Sequence, residues 1–264
     1  MEILKITSRQ NEAVKQFSAI ARSPDCRKES GWFAVEGARL CADAAKSGIP
    51  IERVFFTARA KERYVAYLAP LFSRARYLYE IDEPVAEKMS EVKSPQGVFC
   101  LCAARRPEPV SKMVPNGRYL AAERLQDPSN LGAIMRSAEA LGIDGILLSA
   151  DCCDPYAPKA LRASMGAAFR LPVYETASLP ETLKVLREGG FSTYAAVVDR
   201  AAQSVLEADF SRGALLAVGN EGSGLSGETV AACEFKITIP MKGRAESLNA
   251  AAAAMILMWE LMRR

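Results

Sequence analysis

The stretch LLAVGNEGSGLS (Leu215–Ser226) begins as an apolar strand and continues into a loop with three glycines. Loops of this kind often surround phosphate groups, yet Glu221 in its middle would place a carboxylate beside the phosphate. The glycines stand at i, i+3 and i+5, which matches neither the dinucleotide fingerprint nor the Walker A motif. Taken alone, the stretch predicts a tight turn from a strand into a helix, with glycines at positive φ angles and Glu221 interacting with backbone amides.

The composition is typical of a folded protein. The 264 residues exceed a typical single domain, and 50% of them are hydrophobic and 25% charged. The longest apolar run, in the region 250–259, is too short and too rich in alanine to span a bilayer. The first ten residues lack the pattern of a signal peptide. We therefore expect a cytoplasmic protein with no membrane partner.

Histidine is absent, and the seven cysteines include no C-x-x-C pair. The absence of histidine excludes Ser-His-Asp and Cys-His mechanisms. The cysteine pattern argues against a disulfide framework and against a structural zinc site. We expect no metal.

The small positive net charge of +3 is unevenly distributed. Residues 1–110 carry 18 Lys or Arg against 14 Asp or Glu, and the remainder carries 16 against 17. The N-terminal part is the better candidate for a surface that faces a polyanion, while a solvated face with a small basic excess explains the same counts.

The alternation of strand and helix patterns predicts an α/β fold in two parts. Residues 105–117 lie in a segment rich in proline and basic residues and are predicted to be a linker. Residues 1–104 are expected to form a smaller α/β domain, and residues 118–264 a mostly parallel sheet with helices on both faces. Ligands bind beyond the carboxyl ends of such strands, so the loops after Leu125, Val218 and Ile239 are expected to lie near one another.

Two of these loops carry further unusual sequence. DPSNLGAIMRSAEALG, residues 127–142, offers turn and N-cap residues before a helix, and an exposed salt-bridge partner is the simplest explanation of its Arg136. IPMKGRAESLNAAAAAM (Ile239–Met255) offers Ser247 as the N-cap of the last helix. Each loop by itself is explained by local structure.

Together the three loops resemble the SpoU/TrmH family of SPOUT RNA 2′-O-ribose methyltransferases. The motifs follow in the order N-x-G-x-x-x-R, G-N-E-G-x-G-L-S and I-P-M-x-G-x-x-x-S-L-N, before an alanine-rich helix. RASMGAAFRLPV (Arg162–Val173) is similar to a connecting segment of the same family. The resemblance covers Arg118 to the C terminus and implies a trefoil knot there, which no periodicity predicts. FAVEGARLCADAAKSG (Phe33–Gly48) resembles, more loosely, the family's N-terminal RNA substrate-binding domain, which shares a fold with small RNA-binding ribosomal proteins.

The resemblance implies S-adenosylmethionine as the methyl donor. In the family the donor is held mainly by backbone groups of the knot loops. Carried over, these positions are Gly219, Ile239 and Leu248. Because this donor has no phosphate, the carboxylate of Glu221 is no longer out of place.

The resemblance also implies an acceptor site for a ribose 2′-hydroxyl. The family's functional positions are occupied by Asn130, Arg136, Glu221, Ser247 and Asn249. Arg136 stands where the family's general base has been assigned, but a guanidinium is effectively always protonated. Positioning a phosphate and stabilising a developing alkoxide are physically easier roles for it. Glu221 and Asn130 are expected to orient Arg136, and Ser247 and Asn249 to shape the acceptor pocket.

The leading hypothesis is an RNA 2′-O-methyltransferase that works as a homodimer on structured RNA, with 23S ribosomal RNA favoured over transfer RNA. A transfer RNA methyltransferase is one alternative. A non-catalytic RNA-binding or ribosome-assembly factor on the same fold is another, although all five polar positions are present. A nucleotide-dependent dehydrogenase is disfavoured by the glycine spacing.

Overall fold

A computed structural model describes residues 2–199 and 201–263. The chain divides into two compact units. The first comprises the residues up to Arg106 together with Tyr156–Phe169, and the second comprises Pro107–Pro155 and the residues from Arg170 onward. Within the described residues, no helix is long and apolar enough to cross a bilayer.

The first unit is a mixed five-stranded sheet with helices, in the strand order β1-β4-β3-β5-β2. β1, β4 and β3 are parallel to one another, and β5 runs antiparallel to β3 and β2. Its elements are β1 (Ile3–Ile6), α1 (Glu12–Arg22), α2 (Pro24–Ser30), β2 (Trp32–Glu36), α3 (Ala38–Lys46), β3 (Ile51–Phe56), α4 (Ala58–Arg63), α5 (Val65–Phe72), β4 (Ala75–Ile81), α6 (Glu83–Met89), β5 (Val98–Ala103) and, from later in the chain, α8 (Pro158–Ser164).

The second unit is a parallel seven-stranded sheet in the order β10-β12-β9-β11-β6-β7-β8. Its elements are β6 (Arg118–Ala122), α7 (Pro128–Leu141), β7 (Gly145–Ser149), β8 (Val173–Thr176), α9 (Leu179–Glu188), β9 (Thr193–Ala196), β10 (Gln203–Ser204), β11 (Ala214–Val218), α10 (Gly227–Ala232), β12 (Phe235–Thr238) and α11 (Ala250–Arg263). Two short 3-10 turns, Val110–Lys112 and Ala167–Phe169, complete the chain.

Helices cover the parallel sheet on both faces, which confirms the predicted fold class. Every residue of β11 is buried, as is typical of a strand between two layers of helices. Leu215 and Ala217 of β11 share a core with Leu183 of α9 and Ala232 of α10. On the opposite face α11 packs against α7 and against β11 and β6. Strand β11 is thereby held rigidly where its glycine-rich loop begins.

Several local predictions differ from the structure. The apolar spacing of AKERYVAYLAPLF favours one helix, but the structure divides it between α4 and α5 at Tyr64, where the backbone leaves the helical region (φ −117°, ψ 34°). Strand β1 was not predicted, because its four residues are mostly exposed and lie at the edge of the sheet. Ser247 was expected to cap the last helix. Instead α11 begins three residues later and is capped by Asn249, whose Oδ1 accepts hydrogen bonds from two backbone N–H groups of the first turn.

The predicted linker and the segment that follows α7 show more structure than their sequence indicates. Within residues 105–117, Glu108 N donates to Val173 O at 2.8 Å, beside β8. In the first unit, the ring of Tyr156 stacks on Phe33 with centroids 4.5 Å apart, and Phe169 stacks on the same ring at 5.9 Å. The segment Tyr156–Phe169 therefore packs with residues that precede it by more than a hundred positions.

Candidate functional site

Three loops form the site at the carboxyl end of the parallel sheet. Strands β6 and β11 are neighbours and parallel, so both chains leave the sheet at the same edge. The ladder continues one step beyond the strands, where Glu123 N donates to Val218 O at 2.9 Å. We call residues 123–127 the first loop, residues 219–226 the glycine loop and residues 239–249 the last loop. Hydrogen bonds join the first loop to the glycine loop, and Asn130 of α7 joins the glycine loop to the last loop.

The glycine loop is closed on itself by its own backbone. Asn220 and Gly224 exchange two backbone hydrogen bonds, of 3.1 and 2.9 Å. A Cβ atom on Gly219 would lie 2.0 Å from the carbonyl carbon of Gly224 and 2.1 Å from the nitrogen of Leu225. Gly219 is thus required because another part of the same loop passes against it.

The side chain of Asn220 holds the glycine loop in shape and ties it to the first loop. Its Oδ1 accepts hydrogen bonds from the backbone N–H groups of Gly222 (2.9 Å) and Ser223 (3.1 Å). Its Nδ2 donates to the backbone carbonyl of Arg124 at 2.8 Å. One amide side chain therefore sets both the curvature of the glycine loop and its position.

The carboxylate of Glu221 lies at the N-terminus of α7. It accepts hydrogen bonds from the backbone N–H of Asp127 (3.0 Å), the backbone N–H of Gln126 (3.2 Å) and the side chain of Asn130 (3.0 Å). Asp127 is the N-cap of that helix, so an anion here also interacts favourably with the helix dipole. Glu221 does bind backbone amides, but those of a loop nearly a hundred residues away instead of its own turn.

These hydrogen bonds shift the ionisation of Glu221. Partial burial alone would raise its pKa, but the hydrogen bonds from Asn130 and from the amides of Asp127 and Gln126 outweigh burial and hold the pKa of Glu221 below its ordinary value. The carboxylate is therefore ionised at neutral pH and is a weak proton acceptor.

Asn130 connects Glu221 to the last loop. While its Nδ2 donates to Glu221, its Oδ1 accepts a hydrogen bond of 3.1 Å from Nδ2 of Asn249. Oδ1 of Asn249 in turn caps α11, accepting from Ala251 N at 2.9 Å. The structure thus brings together three of the five polar positions, in one chain of hydrogen bonds from the glycine loop to the start of the last helix.

Arg136 and Ser247 stand apart from this chain. Arg136 is exposed on α7, and within residues 2–199 and 201–263 no hydrogen bond or ion pair joins it to Glu221 or Asn130. Glu221 and Asn130 bond to each other, Glu221 also to two backbone amides and Asn130 also to Asn249, so a role of these two side chains in orienting Arg136 stays a prediction. Ser247 is exposed in the last loop, two residues before the cap of α11.

Two of the three positions expected to bind the donor, Gly219 and Ile239, follow parallel strands at the same edge of the sheet. Gly219 and Ile239 are half-buried, and Leu248 exposes 38% of its surface. Ile239 follows β12 directly, and Leu248 directly precedes the cap of α11. These positions offer apolar surface and backbone groups with no cationic side chain among them.

A buried carboxylate, Glu123, anchors the far side of the glycine loop. It accepts hydrogen bonds from the backbone N–H of Ser226 (2.7 Å), from its hydroxyl (2.7 Å) and from the hydroxyl of Thr229 (2.6 Å). Ser226 is the N-cap of α10, so Glu123 stabilises the point where the glycine loop becomes a helix. Carboxylate hydrogen bonds thus hold the glycine loop near its start, through Glu221, and at its end, through Glu123.

Two adjacent cysteines pack beneath the first loop. Cys152 Sγ accepts from Leu125 N at 3.4 Å, and Cys153 N donates to Leu125 O at 2.7 Å. Burial, the neighbouring Cys152 and the charges of Glu221 and Asp127 together raise the pKa of Cys153 to about 12. These thiols support the loop and are poor nucleophiles. Among the residues that the structure describes, no group of His, Cys, Asp and Glu is arranged to hold a metal ion.

Some site residues were missed by reasoning from the sequence. Asn220 lies inside the quoted glycine motif, and its turn-forming side chain was the available signal. Glu123 ends an apolar strand, where a single acidic residue indicates a buried partner. Gln126 carries no such signal, since it contributes a backbone amide to the Glu221 contact.

Two known protein families match this chain, one in its C-terminal part and one in its N-terminal part. The model of the SpoU rRNA Methylase family matches residues 117–259, and the model of the MRM3-like substrate binding domain matches residues 11–100. The chain is 34% identical, over all of its length and 95% of the relative's, to an uncharacterized tRNA/rRNA methyltransferase of Synechocystis. It is 27% identical to the 23S rRNA (guanosine(2553)-2′-O)-methyltransferase RlmP of Bacillus subtilis, over 97% of this chain and 98% of that protein.

A solved structure shows the same fold over the full chain. The AdoMet-bound rRNA methyltransferase from Sinorhizobium meliloti superposes with a TM-score of 0.85 at 29% identity. The match covers 99% of this chain and 98% of the other.

Proposed function

This chain belongs to the SpoU rRNA methylase family, and we propose that it transfers a methyl group from S-adenosylmethionine to a ribose 2′-hydroxyl of structured RNA, with 23S ribosomal RNA as the substrate. The observation that carries the proposal is the hydrogen-bonded chain Glu221–Asn130–Asn249, which joins the glycine loop to α7 and to the last loop. With such a substrate, the activity belongs in the cytoplasm.

The site suits a donor without phosphate. Glu221 would repel a phosphate in the glycine loop, and the N–H groups of Gly222 and Ser223 are already taken by Asn220. S-adenosylmethionine supplies an electrophilic methyl group on a sulfonium cation. Gly219, Ile239 and Leu248 would hold this donor through backbone groups and apolar surface, next to an ionised carboxylate that is compatible with its positive charge.

Arg136 would bind the RNA backbone. It is exposed, and its guanidinium is free of Glu221 and Asn130 among the described residues. A guanidinium that is effectively always protonated cannot accept the proton of the 2′-hydroxyl. It can position the neighbouring phosphate by two parallel hydrogen bonds and stabilise the alkoxide that develops as the methyl group arrives.

Glu221, Asn130 and Asn249 act mainly by holding the loops in place. The lowered pKa of Glu221 makes it an unsuitable general base. Its four hydrogen-bond partners, two backbone amides and two asparagine side chains, leave it little freedom to approach a substrate. Ser247 and Asn249 would border the acceptor ribose from the last loop.

A homodimer would cover an apolar face of α11. Met255, Ile256 and Trp259 lie on this helix at spacings that place them on one side, and they expose 45%, 39% and 56% of their surfaces. A cluster of large apolar side chains on an exposed helix is typical of a protein interface. A second copy of the chain is the partner we propose.

Three measurements test the proposed function. S-adenosylmethionine at saturation should raise the melting temperature, whereas NADH should not. Tritiated methyl groups should then appear in 23S ribosomal RNA, and mapping of ribose methylation with and without the gene should identify one lost position. Binding of the donor without transfer to any RNA would support the non-catalytic factor, and transfer to transfer RNA alone would redirect the substrate.

A further inference from the structure

Arg124, in the first loop, has an unfavourable backbone conformation. Its φ is +51°, in the left-handed region, and Met165 is the only other non-glycine residue with positive φ among those described. This conformation costs free energy for any residue with a Cβ atom, whereas glycine adopts it freely. An arginine in this conformation beside a binding site indicates that its side chain has a function there that offsets the cost of the backbone conformation.

The main chain of Arg124 is fully used by the loops. Its N–H donates to the hydroxyl of Ser149 at 2.9 Å. Its carbonyl accepts from Nδ2 of Asn220 at 2.8 Å and from Nε2 of Gln126 at 3.3 Å. These contacts explain why the backbone turns here, but any residue would supply them. They do not explain a guanidinium.

Among the described residues, the guanidinium of Arg124 is incompletely hydrogen-bonded. Its buried Nε has no hydrogen-bond partner there, and its Nη2 lies 4.0 Å from Oε2 of Glu123. That carboxylate already accepts three shorter hydrogen bonds from Ser226 and Thr229. The Arg124 side chain is 40% exposed, so donor groups of the guanidinium remain available at the surface of the site. A cation that is partly buried and incompletely hydrogen-bonded favours an anionic ligand.

We propose that Arg124 binds an oxyanion at the edge of the active site, as a substrate-positioning residue. The proposal rests on the proposed function, which supplies two such groups: a phosphate of the RNA next to the acceptor ribose, and the carboxylate on the methionine part of the donor. Both present two oxygens to the planar fork of a guanidinium. The hydrogen bond from Asn220 to its carbonyl places Arg124 directly against the glycine loop.

Arg124→Gly isolates the side chain from the backbone. Glycine keeps the left-handed conformation and the contacts of the main chain, so the melting temperature should stay the same or rise. We expect a loss of about tenfold or more in the affinity for one ligand, since a charge-assisted bidentate contact is removed. Arg124→Lys keeps the charge without the fork and should recover only part of that affinity. Arg212→Ala, which removes an exposed arginine from the turn before β11, is the matched control and should leave the affinity for both ligands unchanged.

Two measurements distinguish the donor carboxylate from the RNA phosphate as the bound anion. Calorimetry gives the Kd for S-adenosylmethionine, and kinetics give the KM for a 23S ribosomal RNA transcript. If the anion is the donor carboxylate, the Kd for the donor rises in Arg124→Gly. If it is an RNA phosphate, the KM for RNA rises and the donor Kd is unchanged. The slope of log RNA affinity against log salt concentration then becomes shallower by about one, because one phosphate contact is lost. Either outcome supports the proposal.

Wild-type affinity of Arg124→Gly for both ligands would overturn the proposal that Arg124 binds an oxyanion. If the melting temperature of that variant also fell, Arg124 would be a structural residue. Failure of the proposed function is a separate result: the wild-type protein would then neither bind S-adenosylmethionine nor methylate RNA.

Discussion

Asn249 donates a hydrogen bond of 3.1 Å from its Nδ2 to Oδ1 of Asn130, across 119 positions of the sequence. Each of the two side chains makes a second contact: Nδ2 of Asn130 donates to Glu221, and Oδ1 of Asn249 caps α11. An amide carries a donor and an acceptor on one planar group, so each asparagine can donate to one partner and accept from another. The link between α7 and the last loop therefore depends on the chemistry of asparagine at both ends.

Asn130→Asp should damage the site more than Asn130→Ala. The alanine removes two hydrogen bonds, at about 1 kcal/mol each. The aspartate is nearly isosteric but places a second carboxylate against Glu221, whose Oε1 lies 3.0 Å from the present Nδ2. We expect methyl transfer to fall by on the order of a hundredfold in the aspartate variant, since the loops shift relative to each other. The exposed Asn116→Ala, in the turn before β6, serves as the control, and equal activity of all three variants would contradict the positioning role.

Glu221→Gln should destabilise the protein in a pH-dependent way. The pKa of Glu221 is lowered in the folded protein, so its stabilising contribution is present above the unfolded pKa and is lost as the pH falls through the folded pKa. The free energy of unfolding of the variant should therefore lie below that of the wild type at about pH 7, and the two should converge towards about pH 4 and below. Urea titrations across this range measure the difference. A gap that stays constant with pH would show that the charge of Glu221 is not responsible.

Gly219→Ala should disrupt the glycine loop. The new Cβ would lie 2.0 Å from a backbone carbon of Gly224, and backbone atoms cannot move away as a flexible side chain can. We expect a loss of about 1–3 kcal/mol in the free energy of unfolding, together with loss of donor binding by calorimetry. Gly227→Ala is the matched control, because no atom of residues 2–199 or 201–263 outside its chain neighbours lies within 4 Å of its Cβ position at the start of α10. If both substitutions were equally tolerated, the close approach at Gly219 would not hold in solution.

Cys153 should resist alkylation in the folded protein. With its pKa raised to about 12, almost none of the reactive thiolate is present near neutral pH. Mass spectrometry after treatment with iodoacetamide should find Cys153 unmodified in the native protein and modified in urea. Methyl transfer should survive the treatment. Rapid native modification of Cys153, with loss of activity, would assign this thiol a more direct part in the site.

Trp259→Glu should weaken self-association. The side chain exposes 56% of its surface on α11, and a charge in the middle of an apolar interface is left without a partner. Sedimentation should show a dimer for the wild type and a monomer for the variant at micromolar concentration. Val185→Glu is the control, since Val185 exposes 66% of its surface on α9, away from the proposed interface. A wild type that sediments as a monomer would refute the proposed dimer.

Much of the fold follows from local physical chemistry that the sequence displays. The all-apolar strand ALLAV predicts a strand covered on both faces, and the structure buries each of its residues. Asp127 before Pro128 predicts the start of α7, and Gly142 predicts its end, where the structure places the N-cap and a left-handed C-cap. These signals lie within a few residues of the features they determine, which is why they can be recognised without coordinates.

What the sequence by itself determined is therefore the alternation of strands and helices, the family motifs and the identity of the polar residues at the site. Only the tertiary structure decided how those residues pair. It joined Asn130 to Asn249 and placed Glu221 at the N-terminus of a helix distant in sequence, leaving Arg136 exposed and apart from both. It also placed Arg124 in the left-handed region, with an Nε that has no hydrogen-bond partner in the described part of the chain. Such pairings depend on the parallel order of β6 and β11 and on the packing of α11 against α7, and interactions over a hundred residues apart leave no periodic pattern in the chain.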